Sequence, residues 1–552
     1  MKRLSALTSS AFALLLLLAG CDVSTLSDDI EDALQVSIVI PPIETSGTLQ
    51  ILDAQTGESI TQRVAVEFTG PNGDLVVDQF LFEPIPLITT ETGVVTFALP
   101  DGLTYSASDP YRITARILSD GYLLAQLSFA IPEKGQYEVE ANLVQITNPP
   151  AGVAVVSQPS GTTDNSGTTQ VATTVSATEN TTGSTATVSI PSGTQVTGAS
   201  GQPLTGGITT QVVYNTAQTQ QAAAVASTNT VNTTVTSSDG STQQGSFTTL
   251  GTVQINITDA SGTAAAALSQ ALTVGLPLPD AAVNPATGQP YAVGDVVPIF
   301  VLQEASNTWA EFTSASVAGK SGGEPVMGTV VSSATGETVV WEITNPALTY
   351  LAGQFGGSTS LTLNLTGKAD ENVRVTIAAA GYSESRRTTA NTITVEGVPN
   401  ILLNQVTGAS PLDVTVAFEG EQVGSASFTS LSANQRLDVA VSIPETITAT
   451  VNISLDCSAV DPDKGTITPS TPFQYARQKD DGSFVSPAST GQLEEGQASI
   501  KVQRSSTYRA SVTYEGETYS DTFDTPASAP AGTFQVPVNL SDDQIRDVCN
   551  EF

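Results

Sequence analysis

Few side chains in this 552-residue chain can do chemistry, and none of them is a histidine. That removes the group most used for proton transfer near neutral pH, and the commonest metal ligand. Ser-His-Asp, Cys-His and His-zinc centres are therefore excluded. Paired carboxylates, or a serine with a lysine, remain. Two acidic pairs invite the test, Asp480-Asp481 and Glu494-Glu495. Adjacent residues on a strand point to opposite faces, whereas glycoside hydrolysis needs two carboxyl groups facing each other about 5–9 Å apart. Both pairs read as exposed loop charge. The stretch Asp461-Pro462-Asp463-Lys464-Gly465 offers two carboxylates to calcium but lacks the further acidic positions of a complete loop. It reads as a solvated turn. The chain is expected to be a non-enzyme, with no catalytic residue, no metal set and no cofactor.

The remaining chemistry belongs to three cysteines, Cys21, Cys457 and Cys549. Upstream of the first lie Lys2 and Arg3, then an apolar block from Ala11 to Leu18. A bilayer-spanning helix needs about 20 apolar residues, and this block is well short of that. A basic start, a short apolar run and small residues at its end describe a cleavable export signal. Leu18-Ala19-Gly20-Cys21 resembles the bacterial lipobox. By that resemblance residues 1–20 are a lipoprotein signal peptide, and Cys21 becomes the acylated first residue, carrying palmitate-type chains into the bilayer. The anchor places the protein at the bacterial cell envelope. Asp22 resembles the signal for retention at the inner membrane in enteric-type bacteria, so both the outer membrane and the periplasmic face of the inner membrane stay open. With lipid on Cys21, Cys457 and Cys549 are left as an even pair in an oxidising compartment, which favours a disulfide. The alternative is two buried, unpaired thiols.

The charge is lopsided, with 19 basic against 54 acidic residues and a net of −35. Only 13% of residues are charged, so the excess comes from a shortage of Lys and Arg. Nucleic acid is excluded as a partner, because phosphates demand clustered positive charge. Docking on anionic lipid through a basic face is excluded for the same reason.

The elements that would carry any site are strands. After a polar tether (21–46), runs of Val, Ile, Thr, Phe and Tyr alternate with Gly, Asn, Asp and Pro clusters. The expected fold class is all-β, several β-sandwich (Ig-like or prealbumin-like) domains in series with a short C-terminal helix. The first spans 47–147. In Tyr111–Tyr122, Ile113, Ala115 and Ile117 share one face and Arg112, Thr114 and Arg116 the other. Its order of a strand, a turn at Gln55-Thr56-Gly57, "TETGVVTFALPDG" and "YRITARILSDGY" resembles the carboxypeptidase-regulatory-like (prealbumin-like) sandwich, which implies a non-catalytic accessory domain. Residues 148–185 are Ser/Thr-rich and read as a linker or as edge strands. In 186–357, Ile190 to Thr194, Gly201 to Gly206, Asp295 to Ile299 and Asn307 to Glu311 follow in an order that resembles the extracellular β region of the FAM171 family and cartilage intermediate layer proteins. Within it, 216–247 reads as a long, partly disordered insertion. Trp309 and Trp341 read as core fillers rather than a sugar platform.

A third sandwich is expected over 358–445, where "NVRVTIAAAGYSE" echoes "YRITARILSDGYL", and a fourth over 446–552. The end, "SDDQIRDVCNEF", is the one helix expected after the signal. Ser541 and Gln544 make a capping box, Asp542 and Asp543 favour the dipole, and Ile545 and Val548 share a face. A Cys457–Cys549 bridge would hold it to the last sandwich. The function these features predict is a lipid-anchored rod of sandwiches with a structural, adhesive or partner-binding role at the envelope. A glycan-binding accessory to a polysaccharide-uptake system is the alternative, and it calls for exposed aromatic rings.

Overall fold

A computed structural model describes residues 37–39, 43–78, 84–85, 87–90, 92–106, 109–227, 230–231, 233–279, 282–303, 308–312, 327–333, 336–368, 371–408, 410–453, 455–457, 466–468, 470–514, 517–528 and 534–537. The chain is all-β there, apart from the short α-helices Gln220–Ser227 and Leu402–Gln405 and a 3-10 turn. The helix expected over 541–549 lies outside the described residues. Alternation is the cause of the strands. In Val64–Thr69, Val64, Val66 and Phe68 are buried and the residues between them are not. In Tyr111–Ser119, Ile113, Ala115 and Ile117 are fully buried and Arg112 is exposed. Thr114, on the outer face, is buried as well, because its hydroxyl shares a 2.7 Å hydrogen bond with that of Ser128.

Three of the sandwiches have one topology. In the first, Thr45–Asp53 lies between antiparallel Val94–Ala98 and parallel Gly135–Leu143. The facing sheet runs Leu87–Thr90, Val64–Thr69, Tyr111–Ser119, Ala125–Ile131. The third repeats this with Ser358–Thr366 between Thr392–Pro399 and Arg436–Ala440, and a facing sheet Tyr382–Thr388, Val373–Ala379, Leu412–Phe418, Glu421–Phe428. The fourth does so with Thr446–Asn452 between Gln497–Gln503 and Phe534–Pro537, facing Ser489–Gln492, Pro472–Arg477, Thr507–Tyr514, Glu517–Asp524. Each pair of sheets closes on its own apolar cluster. The sequence echo pointed to this kinship through the wrong strands. "YRITARILSDGYL" fills the third position of its four-stranded sheet and the turn toward the fourth, whereas "NVRVTIAAAGYSE" fills the second and runs into the first. The topological counterparts of Tyr111–Ser119 are Leu412–Phe418 and Thr507–Tyr514, the latter carrying Tyr508-Arg509 near its start as the first carries Tyr111-Arg112.

The second unit is built differently. A continuous path of strands from Thr173–Thr178 at one end to Val153–Thr163 at the other encloses the largest core. Its spine is Thr242–Asp259, 18 residues long. Trp309 and Trp341 are 2% and 3% exposed and fill core positions, as the sequence implies. The expectation of partial disorder over 216–247 is corrected. Gln220–Ser227 is a helix that buries Ala222 and Ala223, and Thr233–Thr236 forms a hairpin with Thr242–Gly245. Alanine is the best helix former and threonine a good strand former, so this low-complexity composition is competent to order once neighbours cover it.

The modules interlock, which corrects the expectation of an extended rod. All residues of Thr45–Leu52 are buried, including the outward-facing Ser46, Thr48 and Gln50 at 1–2% exposure. A strand of a lone sandwich exposes every second side chain, but here the third and fourth sandwiches cover that face. The Ser59 amide donates to Ser486 Oγ at 2.7 Å, and Arg374 pairs with Glu140. Ala54, Val144, Val153 and Ala222 form one apolar cluster joining the first and second units. Thr249 and Ala217 of the second clasp Gly381 of the third through backbone hydrogen bonds of 3.2 and 3.0 Å. Ser37–Val39, inside the stretch expected to be a tether (21–46), adds in parallel to Thr466–Thr468 within the fourth.

Candidate binding site where three modules meet

The sites proposed from sequence do not converge. Cys21, Cys549 and Asp461–Gly465 lie outside the described residues. Cys457 is fully buried and disulfide-bonded. Asp480 and Asp481 are exposed in a turn where Asp481 accepts from the Ser483 amide and hydroxyl at 2.9 and 2.6 Å, bonds that lower its pKa. Glu494 and Glu495 are exposed in a separate turn. Among the described residues no group of three or more His, Cys, Asp or Glu is arranged to hold a metal, and no helix is long and apolar enough to cross a membrane.

Sequence reading missed the site that the interlocking creates. Between the first, third and fourth sandwiches lies a cavity of about 580 Å³. The first supplies Ser46, Thr48 and Glu138, the third Asn372 and Ser385 to Ala390, and the fourth Thr490 to Gln492. Strand period explains the placement. Ser46 and Thr48 alternate with Gly47 and Leu49, whose face belongs to the core, so the polar residues point outward into the junction.

Glu138 and Arg387 form its charged wall. Arg387 is 9% exposed and its Nε lies 2.9 Å from Glu138 Oε1, although the N–H is not aligned to donate. Its Nη2 donates to the Ala488 carbonyl at 3.2 Å, tying the third sandwich to the fourth. Gln50 Nε2 donates to the same Glu138 oxygen at 2.8 Å. Burial raises the Glu138 pKa, the Arg387 charge opposes that rise, and Glu140 adds to it. The only sequence signal for this cluster is "SESRR", two adjacent arginines in a chain poor in cations.

A second buried carboxylate lies where the third and fourth sandwiches touch. Glu419, in the turn after Leu412–Phe418, accepts from Tyr508 Oη at 2.6 Å and Gln503 Nε2 at 2.9 Å. Arg477 Nε is 3.3 Å away. Burial pushes the Glu419 pKa up to about 7 despite these donors. Another cavity, of about 170 Å³, lies between the first and second units. Leucine, valine and alanine dominate its wall, and it continues the apolar seam there. It is a packing gap rather than a polar site.

No protein-family model matches the chain, and no curated protein matches it. Among solved structures, the shaft pilin SpaA from Lactobacillus rhamnosus GG is 10% identical over 33% of this chain and 98% of its own, with a TM-score of 0.16. The major pilin subunit BcpA of Bacillus cereus is 9% identical over 90% and 99%, with a TM-score of 0.13. The pilus protein RrgB of Streptococcus pneumoniae is 11% identical over 90% and 98%, also at 0.13. Likenesses that loose carry no argument about this chain, whose fold class rests on its own strands and cores.

Proposed function

We propose that this is a lipid-anchored cell-envelope protein whose interlocked β-sandwiches bind a partner at the surface without catalysing a reaction. The interlocking carries this reading. A chain that folds its first sandwich back onto its third and fourth builds shared recesses, which a string of independent spacers would not have. The lipobox-like Leu18-Ala19-Gly20-Cys21 supplies the anchor. The absence of histidine and the separate, solvated placing of both acidic pairs support a non-catalytic role. Metabolic labelling with a fatty-acid probe tests the anchor. Wild type is expected to take up label and sediment with membranes, and Cys21→Ser to do neither. An unlabelled, freely soluble wild type overturns the proposal.

The polar junction cavity favours a second reading, a glycan-binding lipoprotein. The sequence argument for that reading calls for exposed aromatic rings, and the tryptophans do not supply them, since both are buried.

A further inference from the structure

We propose that the three-module cavity is a binding site for a short, neutral saccharide, an inference that rests on the partner-binding reading above and gives its site a ligand class. At about 580 Å³ it falls within the roughly 300–1,000 Å³ range of small-molecule sites. Its wall carries hydroxyl and amide side chains, Thr388, Thr389, Thr490, Asn372 and Gln492 among them, which supply both donors and acceptors. That chemistry matches a ligand whose every oxygen both gives and takes a hydrogen bond.

Charge settles the class. The cations in the wall already have carboxylate partners: Arg387 faces Glu138, and Arg386 pairs with Glu384. Arg374, nearby on the third sandwich, pairs with Glu140. At Arg387, whose side chain is 9% exposed, an acidic ligand would have to displace the Glu138 carboxylate from the guanidinium, and breaking such a pair is costly. A polyol need displace none.

The test uses the full chain in detergent with glucose, galactose, N-acetylglucosamine and their β-1,4-linked trimers, and glucuronic acid as the acidic comparison. Saturation-transfer NMR and titration calorimetry read binding. At least one neutral sugar is expected to bind, with affinity reduced about tenfold or more by Gln492→Ala or Asn372→Ala, each of which removes one amide. Thr389→Trp, an exposed position in the lining, is expected to block the cavity and abolish binding. Melting curves check that the variants fold, and the two alanine variants decide the matter if the tryptophan variant does not. Three outcomes each overturn the proposal: no neutral sugar binds, only glucuronic acid binds, or binding is indifferent to all three substitutions. None of them touches the Cys21 labelling result, so the anchor and the ligand stand or fall separately.

Discussion

Of the glutamate–arginine contacts that join the modules, two serve different ends. Glu138 and Arg387 meet where three sandwiches converge, and the Glu138 side chain keeps 20% of its surface in contact with solvent. Glu419 and Arg477 meet where two sandwiches press together, and Glu419 keeps 2%. The sealed carboxylate receives a tyrosine and an amide donor as well as its arginine. The open one takes Gln50 and Thr490 on one oxygen, and in both pairs the arginine Nε goes unaligned. The same pair of residue types thus builds a lock in one place and the wall of a recess in the other. What differs is how many surfaces close on it.

The open junction should show the largest loss. Glu138→Ala leaves Arg387 buried with its charge uncompensated, and removing one member of a buried pair costs about 3–5 kcal/mol. The urea midpoint of the full chain is expected to fall accordingly. Adding Arg387→Leu to Glu138→Ala is expected to restore part of it, because the stranded charge is then gone. Should Glu138→Ala match wild type, the first sandwich is not held by this contact, and the comparison breaks at its stronger end.

The sealed junction should reveal itself through pH. The folded pKa of Glu419 is raised to about 7 from an ordinary 4.5, with burial as the main cause. A raised folded pKa means that the native state holds the proton more tightly than the unfolded chain. Its stabilising contribution is complete below about 4.5 and is lost as pH climbs through 7. Between pH 5 and pH 8 wild type should therefore lose more stability than Glu419→Gln, by about 2–3 kcal/mol. Arg477 keeps Glu421 as a partner in the variant, so the substitution isolates the proton. Parallel pH profiles for the two proteins would show that Glu419 does not titrate in this window.

How much of this was legible beforehand follows from where the information sits. Ile113, Ala115 and Ile117 could be read as core because a strand's period is local, and the burial of Trp309 and Trp341 followed from ring size. The turn at Gln55-Thr56-Gly57 was legible too, and Gly57 donates back to the Asp53 carbonyl at 2.7 Å. The order in 216–247 was not, because Ala222 is buried by residues far off in sequence, Ala54 and Val144 of the first sandwich among them. Nor was the junction. Ser46, Thr48 and Gln50 look like an ordinary solvated face, and only the return of the third and fourth sandwiches hides them. A repeated turn was visible but unread: Asp164-Asn165-Ser166-Gly167-Thr168 and Asp259-Ala260-Ser261-Gly262-Thr263. In both, the carboxylate accepts from the serine amide at 2.8 or 2.9 Å and from the threonine amide at 3.0 or 2.9 Å.

A smaller effect is expected beneath the cavity, where two glycines sharpen the comparison. Gly47 lies opposite Phe97 across its sheet, and Gly491 lies opposite Phe473. In each case a Cβ would collide with the ring. Both rings are fully buried, at 0% and 1% exposure, so neither can swing clear. Gly47→Ala and Gly491→Ala should each cost about 1–3 kcal/mol by overpacking. Because both glycines also border the cavity, saccharide affinity should fall with stability if the ring's displacement shifts the backbone between Ser46 and Thr48. Thermal melts of the two variants that overlay wild type would show that the rings have room the fold does not reveal.

The smallest effect belongs to an exposed partner of the sealed junction. Arg477 also contacts Glu421, whose side chain is 60% exposed. Solvent screens that carboxylate, so Glu421→Ala should cost less than about 1 kcal/mol. Its loss should also fade in 1 M salt, where screening acts within about 3 Å, whereas most of the Glu138→Ala deficit should persist because Arg387 is 9% exposed and a buried charge is screened much less. Measuring both variants at low and high salt therefore tests burial itself as the variable. If Glu421→Ala proves as damaging as Glu138→Ala, and equally deaf to salt, then the number of surfaces closing on a carboxylate does not decide what it contributes.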